Sequence, residues 1–231
     1  MRRLSALFAL LALFFVQAAS AQQLIPTPGR PAAPAETDKE NLWVLDLTTG
    51  GRVTILLHPE VAPKMVAQIK TLTRAHFYDG LMFHRVIDGF MAQGGDPKGD
   101  GTGQSSMPDV PAEFNYLPHV RGAVAAARSS APQGASAEDK KKADDSANSQ
   151  FFIMLAPRFA LDNKYTVFGR VIDGMQYVDA LPRGEPPVAP GKILHAYIAA
   201  DGVPPYQPPV PDAPKPSLAD DLNLLGTPKK P

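Results

Sequence analysis

Residues 83–96 read Phe-His-Arg-Val-Ile-Asp-Gly-Phe-Met-Ala-Gln-Gly-Gly-Asp. Two short β-forming runs flank an Asp-Gly pair, which predicts two strands joined by a tight turn. Side chains two positions apart on a strand share one face, so Phe83, Arg85 and Ile87 are expected to project together. Met91 and Gln93 share a face in the same way after the turn. Arg85 stands out here because it is a charged side chain in an apolar neighbourhood.

Similar β-type runs recur on both sides of this stretch. They predict strands at residues 42–47, 52–57, 82–87, 90–93, 123–127, 151–155, 166–171 and 193–199. Gly50 and Gly51 supply the positive φ of a hairpin turn between the first two strands. Apolar spacings of three and four predict a helix at 62–72, and a short helix fits 175–181. Strands outnumber helices and do not alternate with them, so we predict an all-β domain built as a closed antiparallel barrel.

Composition limits the kinds of partner and of chemistry. The chain of 231 residues has 23 basic and 23 acidic side chains and a formal net charge of zero. This balance gives no electrostatic reason to expect a nucleic-acid surface or binding to an anionic membrane. The chain contains no cysteine, which excludes disulfides, thiolate metal sites and a cysteine nucleophile.

The amino-terminal segment has the pattern of a signal peptide. Arg2 and Arg3 precede an apolar run over residues 4–16, and a small-residue Ala-x-Ala site ends at Ala21. The run is shorter than the roughly 20 apolar residues that a membrane anchor needs. We therefore expect cleavage after Ala21, a periplasmic or secreted protein, and no stable membrane insertion after cleavage.

Proline-rich segments flank the central part of the chain. Residues 22–40 and 203–231 mix proline with small and polar residues, which predicts a linker and a mostly unpacked tail. The expected organisation is a signal peptide at 1–21, a linker at 22–40, one folded domain at 41–202 and a flexible tail at 203–231. A spacer role for the tail is preferred over a proline-rich docking motif.

Three further motifs follow residues 83–96 in order. They are Gly-Thr-Gly at 101–103, Ser-Gln-Phe-Phe-Ile at 149–153 and Val-Phe-Gly at 167–169. Together the four motifs resemble the cyclophilins, a family of peptidyl-prolyl cis/trans isomerases marked by FHRVI-x-GF-x-QGGD, GTG, SQFFI and VFG. The resemblance covers roughly residues 41–200. It implies a closed eight-stranded barrel capped by two α-helices, with a peptide groove on its outer surface.

The resemblance also implies roles for individual residues. Arg85 matches the catalytic arginine of the family, Gln93 matches the glutamine that binds the substrate backbone, and the main chain of Arg128 matches the position that pairs with the residue before proline. The residues that match the proline pocket are Phe90, Met91, Phe152 and Leu161. Ala127 and Gln150 match the lining of a neighbouring side pocket.

Two positions depart from the family pattern. Ala160 stands where many eukaryotic cyclophilins have tryptophan, and Tyr165 stands where they have histidine. The aromatic ring of Tyr165 can still close the proline pocket, and its hydroxyl can bond to water or substrate.

The chemistry of the reaction fits this set of residues. Rotation about an X–Pro bond is slow because amide resonance imposes a barrier of about 20 kcal/mol, but no bond is made or broken. Such a catalyst needs no nucleophile, metal or other cofactor, and we expect none. It needs a site that fits the twisted amide better than the planar forms, with Arg85 donating to the prolyl nitrogen in a dry, apolar surrounding. Because arginine stays protonated, activity is expected to vary little between about pH 6 and 9.

Proline-containing peptides and unfolded or folding proteins are the expected partners, and we expect a monomer. The alternative is a non-catalytic proline-peptide binding module or a holdase chaperone that uses the same groove.

Several residues also have a purely structural interpretation, which requires no part in binding or catalysis. Arg85 alone would suggest a surface ion pair, whereas Phe83, Phe151 and Phe168 are expected in the core and His84 is expected to make a structural hydrogen bond.

Residues 129–148 are expected to form a long, solvated and mobile loop, since they contain both acidic and basic residues. This loop joins the strands that bear Ala127 and Gln150. It should therefore border the peptide groove. The alternative to a merely solvated loop is one that controls the access of substrate to this groove.

Overall fold

The computed structural model describes residues 32–209. The predicted signal peptide, most of the predicted linker and the tail from residue 210 onward lie outside the described residues. Within 32–209, no helix combines the length and apolar character that crossing a membrane requires.

Within residues 32–209, eight strands form one antiparallel sheet, with three α-helices around it. The strands are β1 Leu42–Leu47, β2 Gly51–Leu57, β3 Arg85–Ile87, β4 Met91–Gly94, β5 Ala123–Ala126, β6 Phe151–Met154, β7 Val167–Asp173 and β8 Ile193–Ile198. The helices are α1 Pro63–Arg74, α2 Ala137–Asp144 and α3 Met175–Asp179. All strand pairs are antiparallel, in the order β3-β4-β6-β5-β7-β2-β1-β8. The predicted all-β fold is confirmed, and a strand lies at each predicted place, with bounds that differ from the predicted ones by up to three residues.

The prediction of a closed barrel needs one correction. The edge strands β3 and β8 share no continuous ladder, and the described seam between them holds an isolated bridge from Met82 to Lys192. The N–H of Phe83 donates to the carbonyl of Gly191 beside this bridge, at 2.9 Å. Residues 82–84, predicted as strand, therefore belong to an irregular seam, and the sheet is a half-barrel. Because Phe83 precedes β3, it lies in the interior core, and the expectation that it shares a face with Arg85 is wrong.

Aromatic side chains fill the interior of the half-barrel. Phe83, Phe151 and Phe168 are fully buried, which confirms their predicted place in the core. The Trp43 ring packs edge-on against Phe151 and Tyr78, with ring centroids 4.9 and 5.2 Å apart. Edge-to-face packing of this kind stabilises aromatic clusters beyond the burial of their area.

The segment predicted as a mobile loop contains helix α2, so the prediction of two helices missed one. Ser136 caps the helix, since its hydroxyl accepts a hydrogen bond from the Asp139 N–H at 3.1 Å. Apart from Ala143, its side chains lie outside the core. Local capping and helix-forming Lys, Glu and Ala outweigh the loop character that the mixed charge suggested.

The segment predicted as an unpacked tail begins with two contacts to the sheet. Arg52 donates to the carbonyl of Pro204 at 2.7 Å, and the Tyr206 hydroxyl donates to the carbonyl of Leu47 at 2.9 Å. The first tail residues therefore lie against β1 and β2.

Helix α1 receives its amino-terminal cap from a distant loop. Its N-cap position, Ala62, offers no side-chain acceptor. The Glu113 carboxylate takes this role, accepting from the Lys64 N–H at 3.0 Å and the Met65 N–H at 2.9 Å. A carboxylate satisfies these free N–H groups and interacts favourably with the helix dipole.

We predict that Glu113→Ala lowers the free energy of unfolding by about 1–2 kcal/mol, the usual cost of losing a helix cap. Urea unfolding followed by circular dichroism measures this loss. Glu138→Ala is the matched control, because Glu138 lies in the first turn of α2 and makes no comparable bond to a second element. Equal stability of wild type and Glu113→Ala would contradict the capping role.

Candidate active site

The register of the sheet places polar and apolar site residues in one row. Arg85 on β3 pairs with Gln93 on β4, and Gln93 pairs with Phe152 on β6. Phe152 in turn pairs with Ala125 on β5. Because directly paired residues project to the same face, Arg85, Gln93 and Phe152 lie side by side on the outside of the half-barrel.

Strands β4 to β7 bury side chains on both faces. Phe151 and Ile153 belong to the interior core, whereas Phe152 and Met154 belong to a second apolar cluster outside it. Met91 and Val167 join this outer cluster, and Phe90, Leu161 and Tyr165 pack against it. A continuous apolar run such as 151–154 is what a strand buried on both faces requires.

A cavity of about 340 Å³ opens above the outer cluster. The residues that line it are Arg85, Phe90, Met91, Gln93, Ala127, Arg128, Ser130, Phe152, Leu161 and Tyr165. The structure thus brings every predicted site residue except Gln150 to one cavity. Ser130 is an addition that the sequence analysis did not name.

Arg85 borders the cavity through a side chain that a carboxylate holds. Its Nε donates to Oε2 of Glu185 at 2.5 Å, and the Arg85 side chain is 39% exposed. Val86 and Gly184 exchange both backbone hydrogen bonds, at 2.8 and 2.9 Å, which fixes the segment that carries Glu185. The Arg85 side chain is therefore partly exposed in the protein alone, whereas the sequence analysis expected a dry, apolar surrounding. Sequence reasoning missed Glu185, which lies 100 residues from Arg85.

Gln93 and Gln150 connect the cavity to a smaller side cavity of about 190 Å³. Gln93 donates to Oε1 of Gln150 at 3.0 Å. Gln150 donates through Nε2 to the carbonyls of Gly101 and Gly103, at 3.1 and 2.7 Å. Gln150 thus lies in the side cavity, where the family resemblance placed it, and Ala127 lines both cavities.

The Gly-Thr-Gly segment takes its shape from a buried carboxylate. Asp96 is 1% exposed and accepts from the backbone N–H groups of Lys98 at 2.8 Å and Asp100 at 3.1 Å. A third N–H, from Gly101, donates to it at 2.5 Å. These bonds hold the carbonyls that Gln150 contacts.

The aromatic floor has a polar support that the sequence did not reveal. The His119 ring stacks on Phe152 with centroids 6.1 Å apart and planes 20° apart. His119 is fully buried, and its Nδ1 lies 2.8 Å from Oδ1 of Asp162. Burial raises the pKa of the Asp162 carboxyl, but hydrogen bonds from the backbone and ring of His119 outweigh burial and leave the pKa below its ordinary value. The negative Asp162 thus fixes the ring that backs Phe152.

Arg128 closes one side of the cavity with its side chain. The guanidinium carbon lies 4.6 Å from the centre of the Tyr165 ring, a cation–π contact. The same group donates to the Lys164 carbonyl at 3.1 Å and pairs with Asp144 of α2 at 3.1 Å. The resemblance assigned a role to the Arg128 main chain, whereas these contacts make the side chain a wall that orients Tyr165.

His84 does not make the expected structural hydrogen bond. The side chain is buried, and neither ring nitrogen has a partner among the described residues. Burial lowers the pKa of His84, because a charged ring would lose its hydration there. His84 does not line the cavity that contains Arg85.

Comparisons with known proteins agree with this geometry. A family model described as "Cyclophilin type peptidyl-prolyl cis-trans isomerase/CLD" matches residues 44–198. A probable peptidyl-prolyl cis-trans isomerase of Brucella suis is 45% identical over 71% of this chain and 85% of its own length. Peptidyl-prolyl cis-trans isomerase B of Bacillus subtilis is 37% identical over 60% of this chain and 89% of its own length.

Solved structures show the same likeness. Cyclophilin AquaCyp293 from Hirschia baltica superposes with a TM-score of 0.62 at 29% identity, covering 72% of this chain and 77% of that one. A cyclophilin-type isomerase of Cryptosporidium parvum, crystallised in the presence of the dipeptide Ala-Pro, has a TM-score of 0.59 at 25% identity and covers 68% and 98% of the two chains. Since sheet order, outer cavity and family match coincide over the same residues, the chain belongs to the cyclophilin-type peptidyl-prolyl cis-trans isomerase family.

Proposed function

We propose that this cyclophilin-type isomerase accepts the proline of exported, folding proteins in the cavity of about 340 Å³ and that Arg85 promotes rotation of the X–Pro bond there. One observation carries the proposal. A guanidinium with free donors borders the same cavity as the buried side chains Met91 and Phe152. The Ala-Pro dipeptide named with the Cryptosporidium relative supports proline-peptide binding by this fold.

The geometry of Arg85 suits the twisted amide. As the C–N bond rotates, the prolyl nitrogen loses conjugation and recovers a lone pair that can accept a hydrogen bond. Glu185 occupies Nε of Arg85, which leaves the two terminal nitrogens for the substrate. Arg85 thus stabilises a form of the substrate that exists only near the transition state, and such an interaction raises kcat.

Bound substrate must exclude water from Arg85, because this side chain is partly exposed in the protein alone. A ten-thousand-fold acceleration requires about 5.5 kcal/mol, whereas one charge-assisted hydrogen bond contributes about 1.5–3 kcal/mol. The bond strengthens when water is excluded. A proline ring seated on Met91 and Phe152 would cover the guanidinium while the apolar floor grips the ring, so burial and charge act together.

We predict that Arg85→Ala lowers kcat by about 10- to 150-fold, the equivalent of the lost charge-assisted bond. Exchange NMR on a four-residue peptide with a central Ala-Pro measures the rate. Arg85→Lys keeps the positive charge but not the planar guanidinium with its several N–H donors, so we expect it to recover only part of the lost kcat. Full activity of Arg85→Ala would remove the proposed mechanism.

The same variants distinguish the enzyme from a holdase. Phe152→Ala removes part of the apolar floor and is expected to weaken peptide binding, whereas Arg85→Ala is expected to retain it. Suppression of client aggregation that survives Arg85→Ala but fails with Phe152→Ala, without turnover in wild type, would favour the binding module.

We predict that Glu185→Ala lowers kcat about three- to tenfold with little change in KM, because Arg85 loses the partner that orients it and regains side-chain freedom. Glu185→Gln keeps an acceptor and should lose less. Hydrogen exchange at Arg85 Nε, followed by 15N NMR, should speed up in Glu185→Ala if the bond to Glu185 protects that proton.

Asp88→Asn is the matched control for Glu185. It removes another carboxylate that pairs with an arginine, Arg183 at 3.1 Å, and it lies outside the cavity lining. A higher kcat in Glu185→Ala would contradict the orienting role and would show that Glu185 competes with the substrate for Arg85.

Export is the part of the proposal that rests on the sequence pattern of residues 1–21. We predict that the chain expressed in a Gram-negative host appears in the periplasmic fraction with Gln22 as its first residue, as intact mass spectrometry would record. Ala19→Phe should block cleavage, because the site requires a small residue there. A wild-type protein found only in the cytoplasm with Met1 retained would contradict export.

A further inference from the structure

The segment 129–148 supplies most of the lining of a hollow of about 710 Å³ next to the active-site cavity. Ala131, Pro132 and Ala135 line it on one side, and Asp139, Lys142 and Ala143 of α2 line it on another. Gln104 and Asp109 complete the lining from the preceding loop. The hollow is thus bordered by a segment that the sequence analysis expected only as a solvated loop. We call it the outer hollow.

The outer hollow shares lining residues with the two cavities of the site. Ser130 borders both the outer hollow and the active-site cavity. Ser129 and Ser146 border both the outer hollow and the side cavity that contains Gln150. A peptide that leaves the active-site cavity past Ser130 therefore meets the outer hollow next.

Hydrogen bonds at both ends hold the wall of the outer hollow in place. The N–H of Ser129 donates to the Ser146 hydroxyl at 2.8 Å, which ties the two ends of the segment to each other. Asp145 accepts from the Ala112 N–H at 2.9 Å. The Val110 N–H donates to the Ala147 carbonyl at 2.6 Å, within an isolated bridge. A wall held at both ends offers a preformed surface, and a preformed surface lowers the entropic cost of binding.

The lining suits a flanking peptide better than a small charged ligand. Ala131, Pro132, Ala135 and Ala143 offer apolar surface, and the charged members carry both signs. The structure describes no ion pair for Lys142 within 4 Å. Unfolded chain combines apolar side chains with free backbone carbonyls, and Lys142 can donate to such a carbonyl.

We propose that the outer hollow is an extended subsite that binds substrate residues beyond those next to the target proline. The inference rests on the proposed function, because it takes the cavity containing Arg85 as the proline site. Its occupant is unfolded polypeptide continuous with the bound X–Pro segment. Contact so far from the rotating bond is the same in the ground and transition states, so it lowers KM and leaves kcat unchanged.

Exchange NMR on three peptides tests the subsite. The first is the four-residue Ala-Pro peptide, and the others carry Ser-Ala-Leu-Ser-Ala-Leu added at the amino or at the carboxyl end. For wild type we expect one extension to lower KM about three- to tenfold, the size expected for modest apolar burial less the ordering of the chain. Equal KM for all three peptides would overturn the subsite. Absence of turnover of the short peptide would instead overturn the proposed function.

Two variants at separate positions fill the hollow. Ala135→Trp and Ala131→Trp place a large ring in the lining, and each should return the KM of the extended peptide to that of the short one. Ala67→Trp is the control, because Ala67 lies on the exposed face of α1 and lines none of the three hollows. A lower KM for the extended peptide that persists in both filled variants would overturn the proposal.

Discussion

The active site depends on strands that bury side chains on both of their faces. Phe151 and Phe152 are neighbours in sequence, yet one fills the interior core and the other forms the cavity floor. A slip of one residue in the pairing of β4 with β6 would exchange these roles, because side chains alternate along a strand. The interior aromatic cluster around Trp43 and Phe151 makes such a slip costly. Packing of the core therefore fixes the site's register as well as the fold's stability.

The same register brings a charge and an apolar floor together, and the two have opposing requirements. An apolar surface binds the proline ring best when it is dry, whereas a guanidinium is most stable when it is hydrated or paired. The structure meets both needs by pairing Arg85 with Glu185 while the side chain stays partly exposed. Glu185 thus balances the charge of Arg85 before substrate binds. The terminal nitrogens of Arg85 lose their water only when a proline ring covers them. The ion pair is exposed enough that its value lies in orientation more than in stability.

Sequence reasoning succeeded where local pattern and register determine position. The local patterns in residues 83–96 and 149–153 predicted strands, and the family resemblance assigned Arg85, Gln93 and Phe152 to one site, where the register brings them side by side. It failed where a contact joins distant segments. Glu185, His119 and Glu113 act through partners 100, 43 and about 49 residues away, and no spacing rule connects them. Helix α2 was missed for another reason, since charge content favoured a loop while the Ser136 cap and the anchoring of Asp145 favoured a helix.

The positions of α2 and Arg128 indicate how substrate preference can change while the residues that act on the X–Pro bond stay the same. The floor is built from central strands, whose packing allows little variation. The wall is built from residues 129–148, which join the rest of the domain at their two ends and through the Arg128–Asp144 pair. Arg128 also lies over Tyr165, so its side chain links the wall to the rim of the proline cavity. Changes in the wall alter contacts that are equal in ground and transition states, whereas the groups that meet the rotating bond remain on the sheet. Recognition of the flanking chain thus depends on the wall, whereas catalysis of the rotation depends on residues of the sheet. The Arg128 side chain contacts both parts, through Asp144 and Tyr165.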